Sequence, residues 1–219
     1  MSIRIAVVDY CKGNLASVQR SIGDAGYDAF VTQNPAEIEK ADGIILPGVG
    51  AFRDAADTMV ELGEMDAIKT RVKEGVPFLG ICLGLHLIFD WGDEGCEPGT
   101  RVAGLGLLPG HIEHVPATDE SGKKYKVPHV GWNSVELQRD WDLFEGVPNS
   151  EYFYFTHSYC AVPDNQADIA ALTEHARTFV SAVGRDHIYG VQFHPEKSSK
   201  WGLQVMRNFG GIVSRAAGK

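Results

Sequence analysis

Along the first ninety residues, short uninterrupted apolar runs alternate with stretches in which apolar positions recur every three to four residues. IRIAVVD (3–9) precedes LASVQRSIGDAG, YDAFVT precedes PAEIEKA, GIILPG precedes a longer helical pattern over about 52–73, and VPFLGIC precedes LGLHLIFD. Runs of Val, Ile, Leu and Phe with few polar interruptions suit strands covered on both faces, so this half predicts a parallel sheet with crossover helices. From His111 to about Val191 the chain reads instead as strands and turns, in HIEHV, KVPHVGWNSVEL, YFYFTHSY, IAALT, TFVSAVGR and IYGVQF. Helical periodicity returns only after Ser198. The expected architecture is α/β, a mostly parallel central sheet with an antiparallel extension, closed by a C-terminal helix. With no internal repeat or credible linker, residues 1–219 read as one domain, and the acidic, glycine-containing DWGDEGCEPGT (90–100) reads as its most mobile loop.

Composition narrows the function classes. A chain of 219 residues with 44% apolar content can bury a sizeable core. A net charge of −9 argues against a phosphate-backbone binder, and KKYK (123–126) is only a local basic patch. Cys11, Cys82, Cys96 and Cys160 are scattered without CxxC or Cys/His spacing, so free thiols in a reducing compartment are expected, with no metal and no cofactor. The start of the chain lacks the pattern of a signal peptide, and no apolar stretch approaches transmembrane length, which predicts a cytoplasmic protein without a membrane role.

Three stretches carry candidate chemistry. In FLGICLGLHL (78–87) an apolar strand delivers Cys82 into a turn flanked by glycines that opens a helix, the pattern of a nucleophile elbow. A helix N-terminus favours a thiolate, and the amide of the next residue, Leu83, would face a developing oxyanion. A small buried core cysteine fits the same letters about as well. In IYGVQFHPEKS an apolar strand ends in His194-Pro195-Glu196. If the chain stays extended there, as the residue before a proline favours, His194 and Glu196 share a side, and the carboxylate can fix the imidazole tautomer for thiol deprotonation. In ILPGVGAF (45–52) two glycines at a strand's carboxyl end let the backbone approach a ligand, and an amide near Gly50 is a second oxyanion donor; an ordinary strand-to-helix turn explains that stretch alone equally well.

Taken together, FLGICLG, GVQFHPEKS and LPGVG resemble the class I (triad) glutamine amidotransferases. DYCKGNLASV, PGVGAF, PHVGWN and FYFTHSY are similar, more narrowly, to the glutaminase subunits of imidazole glycerol phosphate synthases of histidine biosynthesis. The likeness runs from residue 3 to about 213, with the motifs in the family's order. It implies a three-layer flavodoxin-like fold and a triad of Cys82, His194 and Glu196 that splits glutamine into glutamate and ammonia. It further implies an oxyanion hole at Gly50 and Leu83, and glutamine contacts at Val49, His86, Ser158 and Tyr159. The partner it implies is a separate cyclase subunit, a (β/α)₈ barrel in a one-to-one heterodimer, which uses the ammonia on a phosphoribosyl-bearing substrate. Asn14, Trp132, Tyr154 and Lys197 match interface residues near the ammonia passage.

Two positions depart from that pattern. Cys11 stands where the family usually has glycine, and an ordinary backbone conformation is expected there, because a left-handed one costs a side chain about 1 kcal/mol. His86 stands where the family usually has a substrate-contacting glutamine. It follows Cys82 by four, but Cys82 belongs to the elbow and not to a regular helix, so the base role falls to His194 and His86 is expected to line the glutamine pocket with one donor and one acceptor. Alternatives at this level are a glutaminase feeding another ammonia acceptor, a γ-glutamyl hydrolase and a non-catalytic docking subunit.

Overall fold

The computed structural model describes residues 3–11 and 13–219. In chain order the elements are β1 (Ile5–Val8), α1 (Leu15–Asp24), β2 (Ala29–Thr32), α2 (Pro35–Ile38), β3 (Gly43–Gly48), α3 (Phe52–Glu61), α4 (Glu64–Lys73), β4 (Phe78–Cys82) and α5 (Leu83–Leu87). There follow β5 (Trp91–Gly92), β6 (Val102–Ala103), β7 (Gly110–His114), β8 (His129–Leu137), β9 (Glu151–His157), β10 (Tyr159–Pro163), β11 (Ile169–Glu174), β12 (Thr178–Arg185), β13 (Ile188–Val191) and α6 (Ser199–Ala216).

Strands β2, β1, β3, β4 and β13 lie side by side in parallel. The sheet continues antiparallel through β12, β10 and β7, while β11 pairs with both β12 and β8 and carries β9 beyond them. Strands β1, β3 and β4 are buried on both faces, as their unbroken apolar runs require, while edge strand β2 is partly exposed. Alternate residues serve opposite faces: Ile5, Val7, Leu79 and Ile81 meet α1 and α6 through Val18, Ile22, Val205 and Phe209, while Val8 and Phe78 meet Phe52, Met59 and Ile68. Each such side chain contributes roughly 1.5–3 kcal/mol on burial. The three layers match the expected fold.

Several elements differ in detail. The helical stretch over 52–73 is two helices, because Gly63 takes a left-handed conformation (φ 72°) between them. The helix after Cys82 has five residues instead of eight: the carbonyls of Leu87, Ile88 and Phe89 accept bonds from the amides of Leu105, Leu107 and Gly106, which holds the chain in a turn. YFYFTHSY is two strands with a corner at Ser158, whose carbonyl accepts from Val115 (2.8 Å), so that β9 and β10 join different branches of the sheet. The 90–100 stretch is anchored by two bonds from the start of α3, Phe52 N–H to Glu94 Oε2 (3.1 Å) and Arg53 N–H to the Glu94 carbonyl (3.1 Å).

Cys11 corrects the expectation of an ordinary backbone: its φ is 65°. The Cys11 amide donates to Asp9 Oδ1 (2.9 Å), an Asx turn that closes the end of β1, and Gln33 Nε2 donates to its sulfur (3.3 Å). These local bonds offset a conformation that sterics alone disfavour.

Candidate active site

Strand register builds the site. Gly48 of β3 sits beside Cys82 of β4, and Val191 of β13 beside Ile81, so the carboxyl ends of three neighbouring parallel strands bring PGVG, the cysteine and QFHPE to one edge. Two close approaches demand glycine there. A Cβ on Gly84 would lie 1.7 Å from the Leu46 carbonyl oxygen, and one on Gly48 would lie 1.6 Å from the Tyr10 hydroxyl, which donates to the Pro47 carbonyl (2.9 Å). α5 therefore starts directly against β3, and Cys82 is forced to φ 54°, ψ −106°. A side chain pays on the order of 1–3 kcal/mol for such a backbone, which persists here because both sides of the turn are packed.

The Cys82 sulfur faces a cavity of about 280 Å³ lined by Val49, Gly50, Leu83, His86, Ser158 and Tyr159, all expected from sequence, and by Glu94, Pro128, Thr156 and His157, which were not. Cavities of this size suit an amino-acid-sized ligand. Gly50 carries φ 105°, which sets the direction of its amide. The Cys82 thiol donates to the Thr156 carbonyl (3.7 Å), and Gln192 Nε2 donates to its sulfur (3.8 Å).

His194 and Glu196 are both buried, with Nδ1 2.9 Å from Glu196 Oε1. The pairing is as expected but its backbone is not: His194 is extended, whereas Pro195–Lys197 form a single 3₁₀ turn, and it is this turn that swings the carboxylate back onto the ring. Ser198 secures it, its hydroxyl donating to the His194 carbonyl (2.6 Å) and accepting from the Tyr154 amide (3.0 Å), while the His194 amide donates to the Tyr154 carbonyl (2.9 Å). With Nδ1–H donated to Glu196, Nε2 is the atom left for Cys82; it is buried and forms no hydrogen bond of ordinary geometry. Burial disfavours the imidazolium, but bonding and charge from Cys82 and Glu196 outweigh it and push the His194 pKa up to about 10. The arrangement favours a protonated His194 beside Cys82.

His86, expected at the pocket, is there, but its Nε2 lies 2.9 Å from Gln192 Oε1 and is not directed at substrate space. A histidine pair that sequence did not reveal supports the pocket wall. Asn133 Nδ2 donates to His129 Nε2 (3.4 Å), His129 Nδ1 to His157 Nε2 (3.0 Å), and His157 Nδ1 to the Tyr159 carbonyl (2.8 Å), a chain that works only with both rings neutral. Burial pushes their pKa values down to about 4 and about 3. Cross-strand register, invisible without the β8–β9 pairing, is what joins them.

The four remaining expected residues lie apart from the cavity. The Trp132 ring meets Tyr154 edge-on (6.2 Å) and the Lys197 ammonium lies 5.7 Å from the Tyr154 ring centre, so these three form one cluster. Asn14 caps the backbone of α1, its carbonyl accepting from Ser17 (3.1 Å), just after Gly13, where an added Cβ would meet the Gly48 Cα at 3.5 Å.

Against known proteins, the family Glutamine amidotransferase class-I matches residues 6–211. The chain is 47% identical over 212 residues to imidazole glycerol phosphate synthase subunit HisH of Moorella thermoacetica, covering 97% of this chain and 96% of that protein. It is 45% identical to the HisH subunit of Pyrococcus furiosus, over 94% of this chain and 97% of that one. In fold it is similar to PurLQS from Thermotoga maritima (TM-score 0.73, 17% identity, 97% of this chain and 99% of that chain) and to a solved glutamine amidotransferase (TM-score 0.69, 18% identity, 98% and 99%). Class I glutamine amidotransferases are thus the family to which this chain belongs, and within it the HisH subunits of imidazole glycerol phosphate synthase.

Proposed function

We propose that the chain, working as one amidotransferase domain over residues 1–219, hydrolyses glutamine through Cys82, His194 and Glu196. The Cys82 thiolate attacks the side-chain amide carbon, His194 gives its Nε2 proton to the departing ammonia and then takes one from the water that opens the thioester, and Glu196 holds the ring. Amides of Leu83 and Gly50 receive the oxyanion, where losing one such donor typically costs roughly 10²–10³-fold in rate. Val49, Ser158 and Tyr159 surround the substrate, and His86 lines the cavity with its Nε2 turned to Gln192. The observation that carries this reading is the strained Cys82 opening on a cavity with a buried His194–Glu196 pair beside it.

Glu94 gives the pocket a reason to prefer an amino acid. Burial pushes its pKa up to about 7, against the lowering effect of the Phe52 amide, and the charges of Asp93 and Asp54 add to the rise. The α-ammonium of glutamine is the cation that such a carboxylate lacks.

Ammonia is delivered to a cyclase subunit, a (β/α)₈ barrel docked one to one, for imidazole glycerol phosphate synthesis. The relatives' designation as synthase subunits supports a complex. So does an exposed apolar patch: Val130 (56% exposed) and Trp132 (50%) share a face of β8, with Tyr152 (57%) on β9 and Val49 (41%) at the cavity. Asn14, Tyr154 and Lys197 belong to the same docking face. Among the described residues no helix is long and apolar enough to cross a membrane.

Glutamate release from glutamine by the purified chain, with and without a histidine-pathway cyclase and its ribotide, tests the proposal. A large increase with both present, reduced by roughly 10³-fold or more in Cys82→Ser, is the expected result. Hydrolysis that ignores the cyclase would point to another partner, and hydrolysis that survives Cys82→Ser would end the triad reading.

A further inference from the structure

The His86–Gln192 contact uses neither residue for substrate. We propose that Gln192 is a further catalytic residue, whose carboxamide N–H stabilises the Cys82 thiolate, and that His86 is a positioning residue that holds this carboxamide in place. The inference rests on Cys82 being the nucleophile.

The hydrogen-bond pattern fixes the roles. Gln192 is completely buried and its side chain has two partners, His86 Nε2 at Oε1 (2.9 Å) and Cys82 Sγ at Nε2 (3.8 Å). An amide oxygen accepts only, so His86 carries its proton on Nε2 and donates it to Oε1. In this orientation the carboxamide presents its NH₂ group to the sulfur. The Cys82 thiol proton points elsewhere, to the Thr156 carbonyl (3.7 Å), so the sulfur is free to accept. The consequence is electrostatic. Once the thiol ionises, the Thr156 carbonyl dipole opposes the anion, and only donors such as the Gln192 N–H and the His194 imidazolium compensate.

Only a neutral His86 suits this role, because a cation buried here would lack a counter-charge. Burial, the largest effect, pushes its pKa down to about 4, and the bond to Gln192 only partly reverses it. Gln192 sits one residue past the end of β13, directly across from the elbow, and its backbone amide donates to the Ser181 carbonyl (2.9 Å), so the carboxamide is delivered by rigid sheet.

The test is the pH dependence of Cys82 alkylation by iodoacetamide, read by mass spectrometry on the intact chain, which needs neither partner nor glutamine. In Gln192→Leu the midpoint rises by about one pH unit, so that alkylation well below both midpoints is about tenfold slower; kcat in the complex falls by up to that factor, with KM moved less than about threefold. His86→Leu shifts the midpoint in the same direction by roughly half as much. His86→Gln, whose own N–H can reach Gln192 Oε1, returns it toward the starting value. Gln192→Met carries the same expectation as Gln192→Leu if the latter melts early. A Gln192→Leu or Gln192→Met profile that superimposes on the parent, or identical behaviour of His86→Leu and His86→Gln, overturns the proposal. His194→Ala separates the two levels. If it moves the midpoint and Gln192→Leu does not, only this inference fails; if neither moves it, Cys82 is not an activated nucleophile and the triad falls with it.

Discussion

Two strand ends in this molecule hold a cysteine at positive φ, Cys11 after β1 (φ 65°) and Cys82 at the end of β4 (φ 54°). The steric cost is similar, on the order of 1–3 kcal/mol at each. What surrounds them differs. Cys82 is 5% exposed, pinned by the contact of Gly84 with β3, and approached by Gln192, Thr156 and the His194 ring. Cys11 is exposed and held by one Asx turn and one glutamine side chain. Backbone strain therefore marks chemistry only where tertiary packing imposes it and polar groups converge on the side chain; strain offset by local hydrogen bonds is a turn and nothing more.

Gly84→Ala attacks the difference most strongly. Its Cβ would meet the backbone oxygen of Leu46 at 1.7 Å, and neither a sheet carbonyl nor the start of α5 can yield without the other. A loss of about 3 kcal/mol is expected from the denaturant midpoint, with glutaminase activity lost alongside as the elbow opens. A cost below about 1 kcal/mol would mean that the turn at Cys82 is not locked by packing, and the contrast with Cys11 would dissolve.

The next effect belongs to the Cys11 side and depends on pH. Glu64, in the first turn of α4, is fully buried with neither carboxylate oxygen hydrogen-bonded. Burial, and then the charge of Asp9, push its pKa from the ordinary 4.5 up to about 8. Between those values the folded chain holds a proton that the unfolded chain has released, so this group's contribution is complete below about pH 4.5 and is lost as pH rises through about 8. Glu64→Gln fixes the neutral form. Its melting temperature should match the parent near pH 4.5 and exceed it increasingly toward pH 9, by the equivalent of at least about 1 kcal/mol. Parallel curves would show that Glu64 is ionised in the folded chain after all. Near neutral pH the catalytic edge is thus flanked by a carboxyl that stays uncharged, which spares the Cys82 thiolate a further anion.

Much of this was legible in the chain. Apolar runs located every strand of the parallel half, and PGVG, GICLG and HPE lay at the ends of those runs, where open α/β sheets bind ligands. Less was visible where non-local contacts decide. The length of α5 depends on amides from 105–107, the corner at Ser158 depends on which branch of the sheet each half of YFYFTHSY joins, and the partnership of Gln192 with His86 crosses 106 residues. A two-residue period predicted the His194–Glu196 pair for the wrong reason: the chain does not stay extended, and a 3₁₀ turn over Pro195–Lys197, held by Ser198's two hydrogen bonds, is what brings the carboxylate to the ring.

Cys11→Gly is the smallest change and the sharpest control. Removing the side chain relieves a left-handed backbone worth about 1 kcal/mol, but glycine gives the unfolded chain more freedom, roughly 0.5–1 kcal/mol, and the Gln33 bond to sulfur is lost. These terms nearly cancel, so stability should change by less than about 0.5 kcal/mol. Because the Asx turn uses the backbone amide and the Asp9 side chain, it survives the substitution, and glutamine hydrolysis should stay within about twofold of the parent. A loss of activity at unchanged stability would show that the end of β1 is coupled to the elbow through Gly13, where an added Cβ would come within 3.5 Å of the Gly48 Cα. The two cysteines would then be parts of one device, with the strain at Cys11 serving to press the PGVG strand against the site.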